Sequence, residues 1–237
     1  MPATDSRPVL LATHISVGDS GEVGLILDRA GIAHQTLRLN KNQPLPPVRA
    51  HYRGLVSFGG VQSATDDHLD YIAAELRWLE HAIAAGFPVF GICLGAQMVA
   101  RVLGTTVGPH ADGRYAFGWA PVSPVGDDPL GFGGPLIAYH RHGEVFDLPA
   151  GATLAATRPG WPNQAFTWGS NVVATQFHPE VNTTLLTHWL DRERPLSDEH
   201  HAGAQDIETQ LADAPVHMPY VHTWLEAAIL KWLGGRD

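Results

Sequence analysis

The chain has 237 residues, of which 44% are hydrophobic and 16% are charged. This length suits one large domain, or one domain with an appendage, and the apolar content suffices for a sizeable core. The formal net charge of −9 argues against a nucleic-acid partner, because phosphate contacts need clustered lysine and arginine. A single cysteine excludes an intramolecular disulfide and fits a reducing compartment.

The first residues lack the basic stretch followed by an apolar stretch that a secretory signal would show. No apolar run reaches the length that a membrane-spanning helix requires. We therefore expect a cytoplasmic protein that has no membrane partner.

The first part of the chain alternates between short apolar strands and amphipathic helices. Three strands are predicted, at residues 8–13, 34–39 and 55–58. Asp19 or Ser20 can cap a helix between the first two strands, and a second helix is predicted to begin at Asp66 and end at Gly86. This alternation favours an α/β fold with an open, mostly parallel sheet flanked by helices.

An apolar run over residues 88–92 ends at Cys93, with glycine two positions before the cysteine and two after it. The residues that follow have the spacing of a helix with one apolar face. A strand that turns into a helix through Gly-x-Cys-x-Gly is a nucleophile elbow with sulfur in place of oxygen. The glycines would allow the tight turn and leave room for substrate, and the helix N-terminus would favour a thiolate. The alternative is a buried structural cysteine, which is common.

A second motif follows the apolar residues 172–174, where His178 and Glu180 flank a proline. A thiolate nucleophile needs a base, and the base needs a group that orients it. His178 would lie at a strand end, where active sites of open sheets collect. A solitary histidine is usually structural or exposed, and the chain has 14 of them. Together with the elbow, however, this motif predicts a catalytic triad of Cys93, His178 and Glu180.

Residues 110–175 are predicted to be rich in β-strands, because short apolar runs alternate with Gly- and Pro-containing turns. His140 and His142 lie two positions apart on one of these strands and could ligate a metal. A zinc site needs three or four ligands, however, and no third ligand is evident. We therefore predict no metal and no cofactor.

The C-terminal part contains two further helices. Asn182 is predicted to cap the first helix, which should break at residues 192–195, and the polar run 199–201 is expected to face solvent. The last helix has an apolar face formed by Val221, Trp224, Leu225, Ala228, Ile229, Trp232 and Leu233. Such a face must be buried, and its own domain is favoured over a partner protein. The predicted organisation is a domain over residues 1–195 and a helical extension over residues 196–237 packed on it.

Three motifs, in order, resemble those of the class I glutamine amidotransferases. Residues 91–97, Gly-Ile-Cys-Leu-Gly-Ala-Gln, look like the nucleophile motif of that family, and residues 176–180, Gln-Phe-His-Pro-Glu, look like its His-x-Glu motif. Residues 57–60, Ser-Phe-Gly-Gly, are similar to the glycine pair of its oxyanion hole, although Val61 replaces the proline that often follows. The likeness is strongest to stand-alone proteins similar to the glutaminase domain of GMP synthase.

The resemblance implies a flavodoxin-like domain over residues 8–192 and roles for further residues. The backbone N–H groups of Gly60 and Leu94 would be the oxyanion donors, although the glycine pair alone could also be a plain turn. Gln97 would help to fix the substrate, and the backbone around His142 and Gly143 would hold its α-amino and α-carboxylate end. The substrate contacts expected from the resemblance are Gly59, Gln97, His142 and Gly143.

The resemblance also implies hydrolysis of the γ-amide of glutamine through a cysteinyl thioester. A glutaminase of this kind would deliver ammonia to a separate synthase subunit. The alternative is a free-standing γ-glutamyl hydrolase that acts on a peptide or amine conjugate, for which Gly59, Gly60 and Ala116 could leave space. A third possibility is a binding module without turnover, which the intact triad argues against. The DJ-1-like family is a rival for the fold, but it lacks the late His-Pro-Glu motif.

Overall fold

The computed structural model of the chain describes residues 5–15, 20–48, 51–197 and 204–234. Asp19, a predicted helix cap, and the polar run 199–201 lie outside these residues.

The described residues form strands and helices that alternate in the first half and strands that dominate the middle of the chain. In order, the elements are β1 (Val9–Thr13), α1 (Gly21–Arg29), β2 (His34–Arg38), a 3-10 helix (Leu39–Lys41), β3 (Gly54–Ser57), α2 (Asp70–Ala84), β4 (Val89–Ile92), α3 (Leu94–Val102), β5 (Val107–Pro109), β6 (Ala116–Pro124), β7 (Leu136–His142), β8 (Glu144–Phe146), β9 (Ala152–Arg158), β10 (Trp161–Trp168), β11 (Val172–Thr175), α4 (Thr183–Ser197) and α5 (Ile207–Gly234).

One nine-stranded sheet organises the molecule, in the order β2-β1-β3-β4-β11-β10-β9-β6-β7. The strands from β2 to β11 pair in parallel, and those from β11 to β7 pair antiparallel. Strands β5 and β8 form a separate two-stranded antiparallel ribbon. The predicted α/β fold is therefore confirmed, and the β-rich middle of the chain supplies the antiparallel strands.

Helices cover both faces of the parallel strands, as the apolar composition of those strands requires. Every residue of β1, β3, β4 and β11 is buried. Alternate residues of β1 belong to different cores, because side chains of a strand point to opposite faces in turn. Val9 and Leu11 pack in the cluster that includes α1 and α5, whereas Leu10 and Ala12 pack in the cluster that includes α2 and α3.

Helix α2 begins later than the sequence predicts. It starts at Asp70, and Asp66 lies in the preceding turn, where its carboxylate accepts a hydrogen bond from the Ser63 N–H at 2.9 Å. This bond runs from the Asp66 carboxylate back to a residue three positions earlier, so it stabilises the turn and not the start of α2. The helix also carries Glu75 on its buried side, with no exposed surface, which the apolar pattern did not indicate.

The two C-terminal helices are longer than predicted. The Leu185 N–H donates to Oδ1 of Asn182 at 2.9 Å, so the predicted cap of α4 is confirmed. The predicted break at residues 192–195 is wrong, because α4 continues to Ser197. Pro195 removes only one backbone donor from the helix.

Helix α5 packs against the rest of the same chain. The seven apolar residues predicted on its face are all buried. The indole of Trp232 meets the ring of Phe90 edge-on at a centroid distance of 5.8 Å, and its N–H donates to the carbonyl of Asn171 at 3.1 Å. The division of the chain at residue 195 stays a prediction.

Candidate active site

Cys93 occupies a strained turn between β4 and α3. Its backbone has φ 51° and ψ −106°. Residues other than glycine rarely adopt a positive φ, because the side chain clashes with the backbone. The N–H of Cys93 donates to the carbonyl of Thr175 at 2.8 Å, so the turn is bonded to the end of the neighbouring strand β11. Strain of this kind persists only where the surrounding structure holds it, and it is frequent at functional sites.

The glycines on either side of Cys93 are required by backbone packing. A Cβ atom on Gly95 would lie 2.1 Å from the carbonyl oxygen of Ser57, and one on Gly91 would lie 2.7 Å from the carbonyl carbon of Gly95. The space that these glycines leave is therefore filled by neighbouring backbone. The prediction that they leave room for substrate is wrong.

His178 and Glu180 form a buried pair next to Cys93. The Nδ1 atom of His178 lies 2.7 Å from Oε1 of Glu180, and the two side chains are 4% and 2% exposed. The N–H of His178 donates to the carbonyl of Tyr139 at 2.8 Å, which ties this segment to β7. A Cβ atom on Gly59 would lie 2.7 Å from Cε1 of His178 and 3.5 Å from Cβ of Cys93, so both side chains border the same glycine.

The electrostatic surroundings favour a protonated His178. Burial by itself lowers the pKa of this imidazole, but the neighbouring Glu180 and Cys93 raise it, and the resulting pKa is about 10. The ring therefore carries a proton at neutral pH. An imidazolium beside a cysteine is the arrangement that favours a nucleophilic thiolate.

These residues border a cavity of about 590 Å³. Other predicted site residues also line it, and the set consists of Gly59, Gly60, Cys93, Gln97, His142, Gly143, His178 and Glu180. Leu94 does not line the cavity, but it is the first residue of α3, where backbone N–H groups have no partner within the helix. A Cβ atom on Gly60 would lie 2.8 Å from Cδ2 of Leu94, so Gly60 packs against the Leu94 side chain.

The side chain of Gln97 is held by two acceptors. Its amide group donates to the carbonyl of Glu144 at 3.3 Å and to Oε1 of Gln176 at 3.2 Å. The Nδ1 atom of His142 lies 2.9 Å from the same Glu144 carbonyl. Burial lowers the pKa of His142 to about 3, so its ring is neutral and Nδ1–H is the donor. Gly143 lies under the ring of Tyr115, whose Cε1 would be 2.4 Å from an added Cβ atom.

Comparison with known proteins identifies the family. The family model described as glutamine amidotransferase class-I matches residues 27–193, which is more than half of the chain. The chain belongs to the class I glutamine amidotransferase family. This conclusion confirms the resemblance that the three sequence motifs indicate.

Two relatives illustrate how far the similarity to other members of this family extends. The chain is 32% identical over 156 residues to the glutamine amidotransferase-like protein YfeJ of Salmonella typhimurium, covering 63% of this chain and 65% of that protein. It is 33% identical over 138 residues to one subunit of the glutamine-hydrolysing GMP synthase of Thermoplasma acidophilum, covering 55% and 64%. The chain thus matches less than two thirds of the length of each relative.

Solved structures of glutamine amidotransferases share the whole fold. The protein from Thermotoga maritima superposes with a TM-score of 0.89 at 25% identity, covering 97% of this chain and 99% of that one. The protein from Methylobacillus flagellatus gives a TM-score of 0.90 at 25% identity, covering 98% and 96%. Among the described residues, no helix combines the length and apolar character needed to cross a membrane.

The wall of the cavity beyond His178 is formed by an arginine and three aromatic side chains. The ring of Trp189 lies 5.0 Å from the His178 ring, and the guanidinium of Arg141 lies 5.6 Å from Trp189 and 5.5 Å from Phe117. The Phe117 ring stacks on Tyr115 at 5.6 Å. These four side chains come from three separate segments, so no single local pattern brings them together. Ala116, expected to leave space in the pocket, is buried outside the lining.

The His140–His142 pair does not gain a third ligand in the described part of the chain, where no cluster of three or more metal-binding side chains occurs. His140 is fully buried, and neither of its ring nitrogens hydrogen-bonds to a described residue. Burial, together with the nearby His142 and Arg158, lowers the pKa of His140 well below its usual value. Both histidines are therefore neutral in the folded protein.

Proposed function

We propose that this family member hydrolyses the γ-amide of glutamine or of a γ-glutamyl compound through a thioester on Cys93. The observation that carries the proposal is the position of a strained elbow cysteine beside His178, which itself pairs with Glu180 at 2.7 Å. A nucleophile, a base and a group that orients the base are the parts that covalent amide hydrolysis requires. All three border one cavity that can admit a substrate.

In the first half of the reaction, Sγ of Cys93 attacks the side-chain carbonyl carbon of the substrate. Charge develops on the carbonyl oxygen, and the N–H groups of Gly60 and Leu94 stabilise it. The His178 imidazolium gives its proton to the leaving nitrogen as the carbon–nitrogen bond breaks. Ammonia or an amine departs, and a γ-glutamyl thioester and a neutral imidazole remain.

In the second half, His178 accepts a proton from water as the water oxygen attacks the thioester carbonyl. The same N–H groups of Gly60 and Leu94 stabilise the second oxyanion. The carbon–sulfur bond breaks, glutamate leaves, and the thiolate–imidazolium pair is restored. Glu180 accepts the Nδ1–H of His178 throughout, so that Nε2 carries the proton to and from the reacting atoms.

Acidic side chains at one end of the cavity suit the α-ammonium group of the substrate. Asp66 and Glu144 both line the cavity, and Ser63 Oγ donates to Oε2 of Glu144 at 3.0 Å. We expect this end to bind the amino-acid head, with the backbone at His142 and Gly143. The γ-carbonyl would then point towards Cys93.

The direct test is an assay of the purified protein with glutamine, in which glutamate and ammonia are both measured. The wild-type protein should form the two products in equal amounts, and Cys93→Ala should form neither. Wild-type turnover by the Cys93→Ala variant would exclude the thioester mechanism.

A second candidate, a free-standing γ-glutamyl conjugate hydrolase, is favoured by the size and lining of the cavity. Cavities of roughly 300–1,000 Å³ hold drug-sized ligands, and this cavity of about 590 Å³ falls in that range. The leaving group must lie near His178, which protonates it, and from there the wall continues through Trp189 and Phe117. Those rings suit a leaving group larger than ammonia.

Substrate preference separates the two candidates. The protein should be assayed without any partner against glutamine and a panel of γ-glutamyl amines and peptides. Fast turnover of a conjugate, with glutamine a poor substrate, would favour the conjugate hydrolase. Slow turnover of every substrate, with glutaminase activity that rises when a synthase is added, would favour a subunit that supplies ammonia to a separate synthase.

A further inference from the structure

A buried polar network lies behind the loop that carries the proposed oxyanion donor. Glu75 on α2 is fully buried, and its two carboxylate oxygens have different partners. Nε2 of His14, which follows β1, lies 2.5 Å from Oε2, and Oγ of Ser57, the last residue of β3, donates to Oε1 at 2.7 Å. Glu75 therefore joins three elements that are distant in the sequence. The proposed reaction uses none of these side chains.

The network is in direct contact with the loop at residues 58–60. A Cβ atom on Gly60 would lie 2.8 Å from Cβ of His14, which means that the histidine packs closely against this glycine. Ser57 immediately precedes the loop, and its backbone contacts Gly95 on the first turn of α3. Movement of the network would therefore move the loop.

The network places an imidazole and a carboxyl group in a fully buried position, where polar groups are costly. Burial lowers the pKa of His14, but the Glu75 carboxylate raises it, and the net direction is upward. The backbone of Gly59 and Phe58 raises the pKa further, although no hydrogen bond of regular geometry joins Nδ1 to a described residue. A pair of well-packed apolar residues would avoid the cost of removing these two polar groups from water. A function other than stability accounts better for this pair.

We infer that Glu75 is a positioning residue that acts through Ser57 and His14 to fix the loop at residues 58–60 and the direction of the Gly60 N–H. The inference rests on the proposed function, because it assigns the Gly60 N–H to the oxyanion. Oxyanion donors must be held in place before the charge develops, since a shift of about 1 Å can lower the rate about 100-fold. The two bonds to Glu75 provide this rigidity from outside the cavity.

The inference predicts that the chemistry of acyl transfer and the reactivity of the thiol respond differently to changes in the network. In alkylation, Sγ of Cys93 attacks the saturated CH2 carbon of iodoacetamide and displaces iodide. No oxyanion develops in this reaction, so no oxyanion donor takes part. Hydrolysis of the γ-amide does require the donors. A loss of hydrolysis with unchanged alkylation would therefore report on the loop and not on the nucleophile.

The test compares Glu75→Gln and Ser57→Ala with the control Glu80→Gln, which alters an exposed carboxylate on the same helix. We expect kcat to fall about 10- to 100-fold in the first two variants, with KM and the alkylation rate close to wild-type values. Ser57→Ala keeps the Glu75–His14 pair, so it remains informative if Glu75→Gln does not fold. The thermal midpoint of each variant establishes that the folded protein is being measured.

Two outcomes would overturn the inference. Folded Glu75→Gln and Ser57→Ala variants with wild-type kcat would show that the network has no effect on the loop. A parallel loss of hydrolysis and alkylation would show that it only supports the structure around Cys93. Failure of the proposed function is recognised separately, because Cys93→Ala would then retain the wild-type turnover.

Discussion

Oε1 of Glu180 lies 2.7 Å from Nδ1 of His178, and the Trp189 ring meets the imidazole in a T-shaped arrangement with 5.0 Å between the ring centroids. Both members of the pair are almost fully buried. The carboxylate fixes the ring in one orientation and also holds its proton, since Glu180 is a main cause of the raised pKa of His178. One contact thus determines both the geometry and the charge of the proposed base.

Cys93→Ala should abolish hydrolysis, because the proposed thioester cannot form without the sulfur. We expect a loss of at least about 10⁴-fold in kcat/KM for the best γ-glutamyl substrate. A glutamine-like chloroketone should label the wild-type protein once per chain and leave the variant unlabelled, as mass spectrometry would show. Residual turnover of the variant near the wild-type rate would contradict the mechanism.

His178→Ala and Glu180→Gln should differ in severity. Loss of the imidazole removes the group that donates and accepts the proton, whereas loss of the carboxylate leaves an imidazole that is poorly oriented. We expect kcat of Glu180→Gln to exceed that of His178→Ala by about tenfold or more. Equal losses, measured on the same substrate at saturation, would indicate a direct chemical role for the carboxylate.

The pKa of His178 should fall when Cys93 is replaced by alanine, because the cysteine is one of the groups that raise it. In the wild-type protein the imidazole should titrate near pH 10, and in Cys93→Ala at a lower pH. Titration of ring resonances by NMR measures both values, with the exposed His81 as an internal reference. An unchanged midpoint in the variant would mean that the two side chains are not coupled.

The raised pKa of His178 also predicts how the stability of the folded protein depends on pH. The folded pKa of His178 is raised above the unfolded value of about 6.5, so its contribution to stability is complete below that pH. The contribution should be lost as the pH rises through about 10. Urea denaturation across this range should therefore show a smaller alkaline loss for His178→Gln than for the wild-type protein. An equal loss in both proteins would exclude this source of alkaline instability.

The neutral histidines His140 and His142 predict instability on the acidic side. Burial lowers the pKa of His142 to about 3 and that of His140 well below its usual value, whereas both titrate near 6.5 in the unfolded chain. As the pH falls below about 6.5, the two histidines bind protons in the unfolded state but not in the folded state. Each histidine should thus lower the free energy of unfolding by about 1.4 kcal/mol per pH unit.

Denaturation with urea at pH 6.0, 5.5 and 5.0 tests this expectation. His140→Gln should reduce the slope of stability against pH by about 1.4 kcal/mol per unit, because one of the two proton sites is lost. His68→Gln, which alters an exposed histidine, is the matched control. A wild-type slope in His140→Gln would mean that the ring is protonated in the folded protein.

Trp232→Ala should destabilise the fold by about 3–5 kcal/mol, because it removes a buried indole that contacts Phe90 and bonds to Asn171. Tyr220→Ala, on the exposed side of the same helix, should change stability by no more than about 0.5 kcal/mol. Chemical denaturation measures both values. A small effect of Trp232→Ala would indicate that α5 contributes little to the stability of the chain.

The sequence by itself determined the features that depend on neighbouring residues. The buried run of β1, the apolar face of α5 and the turn at Cys93 all follow from local sequence, because apolar runs, helical spacing and glycine positions are local patterns. Boundaries were less well predicted. Asp66 has the side chain of a helix cap but bonds within a turn, and α4 continues through Pro195, since contacts elsewhere outweigh local preference.

Only the tertiary structure decided which distant residues meet. Glu75 lies 61 positions from His14, and its place on the buried side of α2 resembles an error in an otherwise apolar pattern. The rings of Phe117 and Trp189 come from β6 and α4, and the spacing of Trp189 in its helix is that of an ordinary core residue. Periodicity reports that a side chain is buried but not what lies opposite it. A buried charge needs its partner within a few ångströms, and the folding of distant segments against each other supplies that partner.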